Sequence, residues 1–321
     1  MRIVFMGTPE FAIPSLQKLI ENNHEILAVV SAPDRERGRG REVTFTPVKD
    51  FALKNNLKVF TPGKLRDEDL INQMAGLEPE LFVVVAFRIL PREVFTIPKY
   101  GSFNLHGSLL PKYRGAAPIQ WALINGEKET GVTTFLLDDK VDTGKIILQE
   151  KIIIDDADNF GSLHDKMMMI GADVVLKTVE LIAGRNYQLQ KQDDLLATPA
   201  PKITKEICKI DWNKSAIDIH NLVRGLSPYP CAYFVLNGKH YKVFKTRIVT
   251  DSMEDGKWKM ENVEWNPAID SQLTTNNLRL TKKELYIQTG NGILQILELQ
   301  PEGRKRMSVE EFLRGYSFTP L

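Results

Sequence analysis

Over its first half the chain alternates short β-branched or aromatic runs with amphipathic stretches of helical period, a pattern that points to a doubly wound α/β fold with a parallel-rich sheet. The runs are Ile3 to Met6, Ile26 to Ser31, Leu57 to Phe60, Phe82 to Ala86, Ser102 to His106 and Val132 to Leu137. After the first run, Thr8-Pro9 can open a helix whose Phe11, Leu16, Leu19 and Ile20 face the sheet. A dinucleotide site fits poorly there. MGTPEF holds one glycine where the pyrophosphate-binding fingerprint needs three, which counts against a nicotinamide enzyme.

Further along, a long helix is expected from Leu163 to Ala183, with Ser162 and Asp165 as an N-cap pair and Gly184 at its stop. Met167, Met168 and Met169 within it read as packing residues, because Met fills irregular gaps. From Arg185 to Lys205 the period is lost, and Thr198-Pro199-Ala200-Pro201 is a linker signature. Next comes a short helix, Ala216 to Val223, with Ser215 and Asp218 at capping-box spacing and Gly225 just beyond its end. Strand-like runs follow at Ala232 to Leu236, Tyr241 to Ile248, Glu284 to Thr289 and Ile293 to Leu299, the pattern of a small β-barrel. A polar excursion from Thr250 to Asn277 interrupts them. The expected division is residues 1–190 for the α/β domain that carries the chemistry, 191–207 for a linker and 208–321 for the barrel.

Charge excludes an indiscriminate polyanion binder, because 42 Lys+Arg face 41 Asp+Glu in 321 residues. Neither half is a basic block: residues 1–205 hold 26 basic and 27 acidic side chains, and 206–321 hold 16 and 14. Any nucleic-acid contact must therefore come from local clusters. Apolar stretches such as Leu81 to Ala86 are far shorter than the roughly 20 residues a membrane span needs. The N-terminus reads as a strand running into a turn, so a cytoplasmic protein without a membrane partner is expected. Cys208 and Cys231 supply neither a disulfide framework nor a metal-ligand set, and read as small buried apolar groups.

The segment from Ser102 to Leu148 is the richest in chemistry. Asn104 and His106 alternate on a strand, so both project from one face near its C-terminal end, where open α/β sheets place their ligands. Asp142, in the turn-forming Val-Asp-Thr-Gly, follows a second strand and can close on the same cleft. Taken singly, a histidine after a strand is more often a packed structural group, and Asp-Thr-Gly is usually a turn. Together they suit acyl transfer without a covalent nucleophile: an amide and an imidazole donate to an oxyanion, and a carboxylate orients the imidazole.

Here a resemblance enters. HGSLLPKYRGAAPIQWA followed by TGVTTFLLDDKVDTG is similar to the signature of the folate-dependent formyltransferases. MGTPEFAIPSL, PDRERGRGREVTFTPVK and LQPEGRKRMSVEEFLRGY narrow the likeness to the branch acting on methionyl initiator tRNA. The resemblance covers nearly the whole chain. It implies a Rossmann-like catalytic domain, an OB-like barrel that helps hold tRNA, and 10-formyltetrahydrofolate as donor, with no metal. Asn104, His106 and Asp142 fall in the family's catalytic positions. Ser108, Leu109, Leu110 and Pro111 resemble its folate-contacting segment, and Phe82 to Pro91, with Phe87 and Ile89, resembles the wall of its pterin pocket. Phe87-Arg88 departs from the Tyr-Gly pair familiar there, which touches the shape of that pocket.

Pro33 to Arg41 joins four arginines to two glycines. A solvated basic loop is the plain reading, whereas the resemblance implies that Arg37, Arg39 and Arg41 contact the acceptor stem. Arg304, Lys305 and Arg306 form a second basic candidate, followed by a helix with Ser308 and Glu311 at capping-box spacing. His24, His164, His220 and His240 lack partner spacing and receive no role. The protein is expected to be a monomer. The nearest alternative is a formyltransferase acting on an amino sugar nucleotide, which shares the HGSLLPKYRG segment and is disfavoured by the arginine loop and the C-terminal ending.

Overall fold

The computed structural model describes residues 1–37, 42–236, 238–249, 253–254, 257–258, 264–265, 278–281 and 283–315. The chain divides into two compact units. The first comprises Met1–Pro118, Glu129–Ile153 and Leu163–Pro201, and the second Ile119–Lys128, Ile154–Ser162 and Lys202–Leu321.

In the first unit a seven-stranded sheet is built from β1 (Arg2–Gly7), β2 (Glu25–Val30), β3 (Val59–Phe60), β4 (Leu81–Val85), β5 (Ser102–His106), β6 (Glu129–Leu136) and β7 (Ile146–Ile153). Its spatial order is β3-β2-β1-β4-β5-β6-β7. The first five are parallel; β6 runs antiparallel to β5, and β7 antiparallel to β6. The order reverses between β1 and β4, and β5 lies next to that crossover, so the C-terminal ends of these strands open the crevice where such sheets bind ligands. The parallel strands are near-continuous apolar runs because both faces are covered. Ile3 to Met6 and Leu81 to Val85 are all buried.

Helices α1 (Ile13–Glu21), α2 (Pro47–Lys54), α3 (Glu68–Gly76) and α4 (Pro118–Ile124) follow in chain order. Before α1, Glu10–Ala12 is a 3₁₀ turn, so the first helix begins later than Thr8-Pro9 suggests; Phe11, Leu16 and Leu19 are buried as expected. The long helix, α5, spans Phe160–Ala183 and starts three residues earlier than its sequence signal. Its cap is Asn159, whose Oδ1 accepts from the Ser162 amide at 3.0 Å while Ser162 Oγ accepts from the Asn159 amide at 3.0 Å. Asn and Ser satisfy orphan amides by the same chemistry, which is why the sequence alone favours Ser162. Gly171 allows α5 to approach the sheet: a Cβ there would sit 2.8 Å from Leu105 Cδ2.

The second unit is an antiparallel, curled half-barrel sheet. Its strands β8 (Ala232–Leu236), β9 (Lys239–Val249), β10 (Glu264–Trp265), β11 (Leu278–Leu280), β12 (Leu285–Gln288) and β13 (Ile293–Pro301) lie in the order β8-β9-β13-β12-β11-β10, with β14 (Met307–Ser308) on β13. Helices α6 (Ala216–Leu226) and α7 (Val309–Gly315) add Ile219, Val223, Leu226 and Phe312 to its core. Both predicted caps form: Ser215 Oγ accepts from the Asp218 amide, and Ser308 and Glu311 bond reciprocally.

Gly225 lies inside α6 and does not end it. A Cβ there would meet Ile124 Cγ1 at 2.7 Å and the Gln120 carbonyl at 3.1 Å, so the glycine lets α6 pack tightly on α4. Of the 250–277 excursion, only Met253–Glu254, Lys257–Trp258 and Glu264–Trp265 are described.

Cys208 and Cys231 are free and buried, and burial pushes the Cys231 thiol up to about 11. The thiolate is the reactive form, and an exposed thiol ionises near pH 8.5. At pH 8 the folded protein is therefore expected to react with a disulfide-exchange reagent far more slowly than the denatured chain, with the rate climbing toward pH 11. Stopped-flow thiol titration with and without denaturant measures this; equal rates would refute it.

Candidate active site

β5 lies inside the sheet, paired with β4 on one side and β6 on the other, so its backbone is held by two ladders. Phe103 and Leu105 are buried on one face. The period of two then brings Asn104 and His106 together on the other. Asn104 is half-buried, and among the described residues its amide has no hydrogen-bond partner.

His106 is 6% exposed. Its Nε2 lies 2.8 Å from the Tyr113 carbonyl oxygen. A carbonyl only accepts, so Nε2 carries the hydrogen and the tautomer is fixed. Nδ1 is then the nitrogen left for chemistry, and it faces Asp142 Oδ2 at 3.8 Å, beyond direct hydrogen-bond range. Phe135 closes one side of the imidazole edge-on, with ring centroids 6.5 Å apart at 78°. The sequence reading has the imidazole donate to the oxyanion without saying from which nitrogen; here the Nε2 hydrogen is already committed to the Tyr113 carbonyl.

Asp142 occupies a left-handed backbone conformation, φ +56°, which Asp tolerates better than most side chains. Its Oδ2 accepts from the Gly115 amide at 2.9 Å. Two residues on, Gly144 passes so close to the end of β6 that a Cβ would collide with the Leu136 carbonyl. These contacts bring Asn104, His106 and Asp142, all from the first unit, to the C-terminal end of β5.

Ser108 to Pro111 forms the turn directly after β5. Ser108 Oγ donates to the Lys112 carbonyl at 2.6 Å and is fully buried. Thr133 Oγ1 donates to the Ser108 carbonyl and accepts from the Leu110 amide, while Gln149 Nε2 donates to the Leu110 carbonyl at 2.9 Å. Leu110 packs inward with Phe135 and Ile146, whereas Leu109 and Pro111 are half-buried. Phe87 packs on the cluster formed by Val4, Phe82 and Phe95, and Ile89 is 74% exposed. Arg88 turns back to donate to the Pro62 and Gly63 carbonyls, its guanidinium 5.3 Å from the Phe87 ring centroid; burial lowers its pKa.

Of the arginine loop, Arg39 and Arg41 lie outside the described residues, and only the backbone of Arg37 is described, in a ribbon of Arg35–Arg37 with Glu42–Thr44. Arg304, Lys305 and Arg306 are exposed in the second unit. Arg306 donates from Nε to Glu298 at 2.7 Å and lies 4.5 Å from the Phe244 ring centroid, so its charge is partly engaged within the chain. The sequence reading did not single out the Tyr113 carbonyl, the Gly115 amide, Thr133, Gln149, Arg114 or Gln192. Main-chain groups carry no residue-type signal at all.

The formyl transferase family matches residues 1–179, and the formyl transferase C-terminal domain matches residues 202–317. The chain belongs to the formyl transferase family. Among curated members it is 44% identical over 327 residues to the methionyl-tRNA formyltransferase of Flavobacterium johnsoniae, covering 99% of this chain and 97% of that protein. With the methionyl-tRNA formyltransferase of Caldanaerobacter subterraneus it shares 44% over 319 residues, again 99% and 97%.

Solved structures share the fold at lower identity. The N-formyltransferase from Helicobacter canadensis, in complex with folinic acid and dTDP-3-aminofucose, matches with a TM-score of 0.67 at 22% identity, covering 92% of this chain and 98% of that one. HypX from Aquifex aeolicus in complex with tetrahydrofolic acid matches with a TM-score of 0.62 at 17%, covering 98% of this chain and 47% of that one. Among the described residues, no group of three or more His, Cys, Asp or Glu could hold a metal ion, and no helix is long and apolar enough to cross a membrane.

Proposed function

We propose that this formyl transferase moves a formyl group from 10-formyltetrahydrofolate to the free amine of methionyl initiator tRNA. The observation that carries the acceptor is the 44% identity, over nearly the full length of both chains, to relatives named for that reaction. The constellation of Asn104, His106 and Asp142 supports the chemistry. The uncharged methionyl amine attacks the formyl carbon, a new C–N bond forms, and the carbonyl oxygen becomes an oxyanion. Asn104 donates to that oxyanion from its unpaired amide. The attacking nitrogen passes a proton to His106 Nδ1, directly or through water, and the nearby Asp142 carboxylate stabilises the imidazolium. Collapse breaks the bond to N10 of the folate, whose electron pair takes the proton, and tetrahydrofolate leaves. No serine or cysteine nucleophile is needed.

The turn at Ser108 to Pro111, with the half-buried Leu109 and Pro111, and the Phe87 to Ile89 segment form a mixed apolar and main-chain wall suited to a flat pterin. Arg37, Arg39, Arg41, Arg304, Lys305 and Arg306 meet tRNA phosphates. A charged-tRNA acceptor favours a cytosolic enzyme, and the proposed form is a monomer. Incubation with labelled 10-formyltetrahydrofolate and either charged initiator tRNA or a nucleotide amino sugar tests the acceptor. Label is expected on the tRNA, and label on the sugar alone overturns the reading.

Salt separates the two substrates. Between about 50 and 200 mM salt, KM for tRNA is expected to rise by an order of magnitude or more, because each phosphate contact releases counterions, while KM for the folate changes little. Equal insensitivity of both constants would remove the basic clusters from the tRNA interface.

A further inference from the structure

The stretch 190–200 crosses both loops that build the site, and it is laced to them rather than hanging between elements. Gln190 and Ile146 exchange both main-chain hydrogen bonds, at 2.8 and 3.0 Å. Further on, Thr198 accepts from the Arg114 amide through its carbonyl at 2.9 Å and from the Tyr113 amide through Oγ1 at 2.9 Å, and the Ala200 carbonyl accepts from the Ala117 amide at 3.1 Å. Between these ties Gln192 is 6% exposed. Its Nε2 donates to the carbonyls of Asp142 at 2.9 Å and Gly144 at 2.8 Å. Its Oε1 accepts from Arg114 Nε at 3.1 Å and Nη2 at 2.8 Å, and the same Nη2 reaches Asp194 at 2.8 Å.

We propose that Gln192 is a positioning residue for the formyl transfer, clamping the Asp142 to Gly144 turn so that the Asp142 carboxylate stays beside His106. The argument is geometric. Asp142 holds a left-handed backbone conformation, which persists only where the surroundings over-determine it. Three restraints do so: the Gly115 amide on the carboxylate, Gly144 lodged against Leu136, and Gln192 on two carbonyls. Of these only Gln192 uses both amide donors on the turn while its acceptor side is held by a guanidinium, so the side chain is fully satisfied and cannot rotate away. Arg114 precedes Gly115, so one side chain ties together the two loops that meet at Asp142. A carboxylate misplaced by about 1 Å can cost up to a hundredfold in rate.

This rests on the catalytic role proposed for Asp142, and the test separates the two. Gln192→Met keeps the volume and removes every donor; Gln192→Glu keeps an acceptor for Arg114 and turns a carboxylate toward the two carbonyls. In both variants the amide proton of Gly115, followed by NMR in the free protein, is expected to move upfield as the Asp142 carboxylate leaves it. kcat is expected to fall about 10- to 100-fold while KM for each substrate stays within about twofold. An unmoved Gly115 resonance with kcat within about twofold of wild type, in variants that melt cooperatively, overturns the positioning role. A Gly115 shift with unchanged kcat keeps the clamp and removes Asp142 from the chemistry. If Gln192→Met melts too low to assay, Gln192→Glu decides by the same two readings.

Discussion

Asn104→Ala lowers kcat for formyl transfer about 100- to 1000-fold and leaves the thermal midpoint of the protein where it was. The magnitude is that of removing one preorganised donor from an oxyanion site. The clean separation from stability comes from the structure. Asn104 is half-buried, and among the described residues its amide bonds to nothing, so truncation orphans no partner. The strand itself is held by main-chain pairing to Val84 and Phe135, which alanine keeps. KM for either substrate changes little if the amide acts only as the oxyanion forms. Single-turnover formylation paired with thermal melting reads both quantities. A kcat within about twofold of wild type would take Asn104 out of the mechanism.

Much of this site was legible because strand periodicity does the placing. Asn104 and His106 share a face whenever the segment is a strand, and its apolar neighbours Phe103 and Leu105 make it one. What escaped has a physical cause in each case. β7 was missed as a strand because it is an edge, with Gln149, Glu150 and Lys151 breaking its apolar run. Gly225 resembled a helix stop, yet the helix continues through it, since close approach to Ile124 also demands a missing side chain. Gln192 lay in aperiodic sequence, where nothing local reveals that its amide reaches back about fifty residues to Asp142. The tautomer of His106 is set by the main chain of Tyr113, and no side-chain pattern encodes it.

Asp142 yields the other large effect, and its backbone makes the experiment discriminating. Asn adopts left-handed conformations readily and keeps an oxygen that can accept from the Gly115 amide, so Asp142→Asn is expected to fold and melt like wild type. Only the charge beside His106 Nδ1 disappears. If that charge stabilises the imidazolium formed as the amine loses its proton, kcat falls about 100- to 10,000-fold. Asp142→Gly adds an independent check. Glycine relieves the left-handed strain, of order 1 kcal/mol, and gives up the Gly115 hydrogen bond, worth about as much, so stability again stays level. Its activity should match that of the Asn variant, because both lack the carboxylate. Were Asp142→Asn active and Asp142→Gly inactive, the residue would act by shaping the turn through its bond to Gly115, and the carboxylate charge would play no part in moving the proton.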